Sequence, residues 1–156
     1  GVLSETELYQ AQNFLKEPGI SVCRDSEIAI KAGEVHAMHD PTEGGLATAL
    51  WELAHASQKT LVIDPSKIFI PQLSRKVCDT FGLDPLGSIA SGALLIAASA
   101  ESGSGIVKAL QKENIHAAVI GTVESGQPAV YQITQHGRQL LTKFTRDEIA
   151  RVYETV

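Results

Sequence analysis

Val35-His36-Ala37-Met38-His39-Asp40-Pro41-Thr42-Glu43-Gly44-Gly45-Leu46 reads as a strand, a sharp turn and the start of a helix. Residues 34–39 have the character of a short strand, and Asp40-Pro41-Thr42 breaks it. From Leu46 the apolar residues Leu46, Ala49, Leu50, Leu53 and Ala54 fall on one stripe of a helix. Gly44 and Gly45 carry no side chain, so the main chain there can turn its N–H groups outward and admit close approach of a ligand. The helix beyond adds unpaired N–H groups and the positive end of its dipole, which suits phosphate or another small anion. Asp40 suits loop amides or a Mg²⁺ ion that bridges phosphate oxygens. Thr42 suits a helix cap or a hydroxyl donated to a ligand. A structural role stays open on local chemistry alone. Asp-Pro-Thr is a good turn and cap sequence, and paired glycines also let a helix pack tightly on its strand. Glu43 repels a phosphate unless a cation intervenes.

Outward from this loop, helical and strand periods alternate without an internal repeat. Ser4-Glu5-Thr6-Glu7 has the form of a capping box; Leu8, Ala11 and Leu15 follow at helical spacing, and Pro18-Gly19 stops the pattern. The spacing predicts a helix over 21–32 ended by Gly33, a strand over 60–64, and a helix over 71–81 closed by Gly82. A strand is expected within 89–99, where the apolar run 93–98 fits cover on both faces, followed by a helix over 105–113. Residues 99–105, rich in Ser and Gly, read as a flexible link. Residues 116–124 and 129–134 read as strands of a hairpin around Gly126. Thr145-Arg146-Asp147-Glu148 reads as another capping box, opening a last helix with Ile149, Val152 and Tyr153. The predicted class is α+β, a mixed β-sheet with helices packed on it.

The 156 residues fit one domain, and 44% hydrophobic with 20% charged residues is the balance of a soluble globular protein. A net charge of −5 provides no broad cationic field, so nucleic acid is not an expected partner. No apolar run has membrane-spanning length, and residues 3–16 are amphipathic and acidic rather than signal-like, so a cytoplasmic location is expected. Cys23 and Cys78 form no CxxC pair and read as reduced, partly buried thiols. In a strand His36 and His39 point to opposite faces, which disfavours joint metal ligation. His39 reads instead as a hydrogen-bonding partner of Asp40 or of substrate. His55 suits the end of its helix, His116 and His136 read as solvated, and Trp51, off the main stripe, is expected to pack on a neighbouring element.

Residues 37–54 resemble the Asp-Pro-Thr-x-Gly-Gly-Leu loop and following helix of the hydrogenase-maturation family HypE. That family is a branch of the AIR synthetase superfamily, alongside formylglycinamidine ribonucleotide synthetase, selenophosphate synthetase and thiamine-monophosphate kinase. The likeness continues in order through Phe81-Gly82-Leu83-Asp84-Pro85-Leu86, Ser91-Gly92-Ala93-Leu94-Leu95-Ile96 and Ala118-Val119-Ile120-Gly121. The resemblance implies that residues 1–156 are a single C-terminal domain of the superfamily, lacking an N-terminal ATP-binding domain that also carries a homodimer interface. It implies ATP and Mg²⁺ as cofactors of the full-length protein, with none held tightly by this part. This domain would wall the cleft in which ATP phosphorylates an amide or similar oxygen, or gives its phosphate to a substrate. The family pattern falls on Asp40, the catalytic candidate, and on Thr42, Gly44 and Gly45. Ser91 and Gly92 line the same side. His39 joins them as a phosphate- or substrate-binding candidate, and no metal ligand set is assigned. Two departures stand out. HypE ends in a reactive cysteine that receives a carbamoyl group, whereas residues 150–156 hold none, so that chemistry on its own tail is not expected. Glu43 stands where the family commonly has Arg. The alternative readings are a non-catalytic interaction or regulatory module that keeps the fold, and a HypE-like metallocentre maturation factor acting on another protein.

Overall fold

The computed structural model describes residues 2–154. Ser4 caps α1 (Glu5–Asn13) as its sequence dictates: its hydroxyl accepts the Glu7 amide at 3.3 Å, and the Glu7 carboxylate accepts the Ser4 amide at 2.8 Å. None of the residues of α1 is buried. A kinked turn, Leu15–Gly19, in which the Gly19 amide donates to the Phe14 carbonyl at 3.1 Å, leads to α2 (Cys23–Ala32), which Gly33 ends.

The strands form two sheets. β1 (Val35–His39) pairs antiparallel with β3 (Leu95–Ala98). The second sheet runs β4-β2-β5-β6, from β2 (Thr60–Ile63), β4 (Gly121–Glu124), β5 (Ala129–Thr134) and β6 (Gly137–Leu140). β2 lies antiparallel to β4 and parallel to β5, while β5 and β6 are antiparallel, so the sheet is mixed as the predicted class requires. α3 (Gly45–Ser57) sets Ala47, Leu50 and Ala54 against Leu61, Ile63 and Val130 to make the first core. The second core joins Ala29 of α2 to Ile106 and Leu110 of α5 (Ala100–Lys112), with Met38 and Ile96 packed against it. Successive strand residues face opposite ways, so Leu95 enters the first core and Ile96 the second; β3 is covered on both faces, as its apolar run predicts. α4 (Gln72–Phe81) ends at Gly82 in a left-handed conformation.

The structure corrects several expectations. The strand within 89–99 begins only at Leu95, because Gly92 turns at φ +94° against the main chain of Gly19, where a Cβ would lie 2.9 Å from the carbonyl oxygen. Residues 99–105 are no link; Ser99 is the N-cap of α5 and residues 100–105 are its N-terminal half. The Ser102 hydroxyl accepts the Glu34 amide at 2.9 Å, and a Cβ on Gly33 would meet that of Ser102 at 2.6 Å, so this half of the helix is seated on the α2–β1 turn. That packing outweighs a helix penalty of about 1 kcal/mol per glycine. β4 and β5 are not hairpin partners, since β2 lies between them, and residues 116–120 precede the strand. The hairpin is β5–β6, whose second strand is exposed throughout. The last helix, α6 (Ala150–Glu154), starts beyond the expected capping box. Cys23 is exposed and Cys78 buried. His116 is exposed, as expected of a solvated residue, and also stacks on Phe69 with ring centroids 4.0 Å apart. Trp51 packs into the first core, as expected, with Lys143 Nζ 5.5 Å from its ring centroid.

Candidate functional site

β1 delivers the chain to the loop at His39, and Pro41, fully buried, fixes the turn. Thr42 offers its carbonyl to two amides, Gly45 at 3.1 Å and Ala90 at 3.3 Å. The second bond sets the 40–45 loop beside the turn that holds Ser91 and Gly92. Gly44 and Gly45 take φ +75° and +62°. A Cβ on Gly45 would lie 2.4 Å from the Ser88 carbonyl oxygen and 2.6 Å from that of Leu86. Glycine is therefore required here by both conformation and space.

The direction of the amides differs from the expectation. Gly44 N–H donates to the Asp147 carboxylate at 2.7 Å, Gly45 N–H to Thr42, and Ala47 N–H to the Leu86 carbonyl at 2.8 Å. The mouth of α3 is thus closed by the domain's own carboxylate, which also meets the positive end of the helix dipole. Thr42 does not cap the helix; Gly44 occupies that position without a side-chain cap. Glu148, 8% exposed, holds in place the strap between β6 and α6, residues 141–149: its carboxylate accepts the Asp84 amide at 3.0 Å and Arg151 Nη1 at 2.7 Å, and its own amide donates to the Gly87 carbonyl at 3.0 Å. Asp147 and Glu148 were legible in the sequence only as a local helix cap, because nothing near them in the chain points to partners so far away.

Exposed on this side are Asp40, Thr42, Glu43, Ser91 and Gly92. Among the described residues the Asp40 carboxylate makes no hydrogen bond or ion pair, so the expected bond from His39 to Asp40 is absent. His39 Nε2 instead lies 2.6 Å from Glu52 Oε2 on α3. This contact of His39 with Glu52 is one that the sequence did not disclose, since nothing in the spacing of 39 and 52 marks them as neighbours. Cys78 lines a cavity of about 190 Å³ with Phe14, Val77, Leu83 and Ile149. Burial pushes its thiol pKa up, which disfavours the thiolate a nucleophile needs.

Residues 3–133 match the family described as AIR synthase related protein, C-terminal domain. The chain belongs to that family. This AIR synthase-related domain is 33% identical over 154 residues to a protein of Methanocaldococcus jannaschii provisionally named for hydrogenase expression and formation, spanning 97% of the domain and 46% of the relative. It is 31% identical over 102 residues to carbamoyl dehydratase HypE of Azotobacter vinelandii, spanning 64% of the domain and 30% of the relative. The solved structure of hydrogenase maturation protein HypE in complex with ATP has a TM-score of 0.71 at 29% identity, covering 80% of the domain and 40% of that chain. E. coli HypE gives 0.74 at 25% identity, covering 84% and 42%. The domain therefore spans less than half the length of these relatives. The strap that carries Asp147 and Glu148 lies beyond the residues matched to the family.

Proposed function

We propose that this AIR synthase-related domain is the C-terminal part of an ATP-dependent enzyme of the HypE kind, and that it walls an active-site cleft shared with an N-terminal ATP-binding domain. The reading is carried by one observation: the domain matches, over 80% of its length, a HypE structure solved with ATP, and accounts for only 40% of that chain. The exposed rim of Asp40, Thr42, Ser91 and Gly92, with His39 beside it, faces the cleft and touches the phosphates or substrate. Gly44 and Gly45 shape this rim rather than cradle a phosphate, because their amides are taken within the domain.

Asp40 fits a Mg²⁺ ion: it is an exposed hard oxygen donor with no partner among the described residues. Mg²⁺ held there would neutralise phosphate charge and offset the repulsion from Glu43. The full-length protein is a cytoplasmic homodimer acting in hydrogenase maturation. Among the described residues no helix is long and apolar enough to cross a membrane.

Isothermal titration tests this division of labour. The full-length gene product is expected to bind ATP in the presence of Mg²⁺, and residues 1–156 alone to bind weakly or not at all. Tight binding by the 156 residues alone overturns the proposal. Asp40→Asn is expected to lower ATP turnover of the full-length protein at an unchanged melting temperature. A large fall in melting temperature assigns Asp40 to structure instead.

A further inference from the structure

We propose that His39 and Glu52 form a proton-transfer pair at the edge of the cleft, with His39 as the acid–base group and Glu52 as the residue that positions it. The inference rests on the cleft reading above. His39 is the last residue of β1, directly before the Asp40 rim, and Glu52 lies two helical turns into α3. The strand end and the helix are joined by the interlocked glycine loop, so both residues stand on rigid elements. His39 Nε2 and Glu52 Oε2 are 2.6 Å apart, with side chains 30% and 60% exposed.

The chemistry follows from the inventory of donors and acceptors. An ionised carboxylate only accepts, so the proton of this hydrogen bond sits on His39 Nε2. In the neutral ring Nδ1 then carries the lone pair. Nδ1 makes no hydrogen bond among the described residues, which leaves it available to a ligand. An isolated surface pair of this kind adds little stability. Fixing one tautomer and one ring orientation is its larger effect.

In the step assigned here, the N–H or O–H bond of the acceptor substrate breaks and its proton passes to His39 Nδ1. The acceptor oxygen bonds to the terminal phosphorus of the nucleoside triphosphate. The bridging oxygen departs with the nucleoside diphosphate and keeps the electrons of the broken P–O bond. Glu52 stabilises the imidazolium charge, and the proton is returned to solvent or to product.

Three variants of the full-length protein and one spectroscopic measurement decide the matter. Removal of an acid–base group lowers turnover by roughly 100-fold or more, so His39→Gln is expected to lose about 100-fold in kcat. Glu52→Gln is expected to lose about tenfold in kcat with the KM for ATP unchanged, a smaller loss than that of the acid–base group itself. Glu52→Asp restores most of that loss. Long-range ¹⁵N spectra of histidine-labelled protein are expected to show His39 as the Nε2–H tautomer, with a mixture of tautomers in Glu52→Gln. Wild-type turnover that Glu52→Gln leaves unchanged, or a His39 tautomer indifferent to Glu52, overturns the pair while the cleft reading stands. A wild-type protein that neither binds nor turns over ATP overturns the cleft reading and the catalytic role with it.

Discussion

Gly45 and Gly82 both sit at φ +62°, yet a methyl group would mean different things at the two positions. At Gly82 an added Cβ meets nothing within 4 Å, so Gly82→Ala carries only the left-handed backbone penalty, about 1 kcal/mol. At Gly45 the same methyl drives into two carbonyl oxygens. Gly45→Ala is therefore expected to cost about 4 kcal/mol or to prevent folding. Urea denaturation of the two variants measures the contrast, and equal losses would remove the claim that loop and turn interlock there. Asp147→Ala leaves the Gly44 amide without its acceptor and is expected to cost about 1–3 kcal/mol. Asp147→Asn keeps an acceptor oxygen and should cost less. The glycine pair was legible because Asp-Pro-Thr-x-Gly-Gly can only be a tight turn. The facing of its amides was not, because it is set by a carboxylate 103 residues further along the chain.

Helices were more legible than strand order. Each of α1 to α4 announces itself through a cap, a stripe or a glycine stop, all of them local signals. Pairing is not local: β2 takes β4 and β5 as neighbours through contacts that no turn encodes, and β6 is an exposed edge without alternation. α1 has no buried residue and is tied to α4 by Glu7 and Lys76 at 2.5 Å. The hydrogen bond from Lys76, helped by the Ser4 cap, holds the Glu7 carboxyl down at about 2, below its ordinary 4.5. A depressed carboxyl contributes its stabilisation above the unfolded value and loses it as pH falls towards the folded one. The tie is therefore intact above about pH 4.5 and fades between there and about pH 2. Amide exchange protection across α1 should fall over this window in the wild type. In Glu7→Gln it should already be low at neutral pH and stay level, and a matching pH response in that variant would show that another group controls the helix.

The whole molecule shows more surface than its mass requires. A compact monomer of 16.7 kDa exposes about 7,600 Å² by the usual scaling, and this domain exposes 9966 Å². The difference of about 2,300 Å² exceeds the roughly 800 Å² that one partner contributes to a standard interface. Part of it is apolar: Tyr9 and Leu15 beside the start of the chain, and Ile133 and Leu140 on the second sheet, are all more than half exposed. Single exposed apolar residues are ordinary, but their number here suits a surface that a further domain covers. If the N-terminal domain covers it, residues 1–156 alone should enhance the fluorescence of an apolar dye such as ANS more, per mole, than the full-length protein does, although the full-length chain is longer. Equal or stronger enhancement by the full-length protein would mean that these residues stay open, and the excess surface would then have to be assigned to a separate partner.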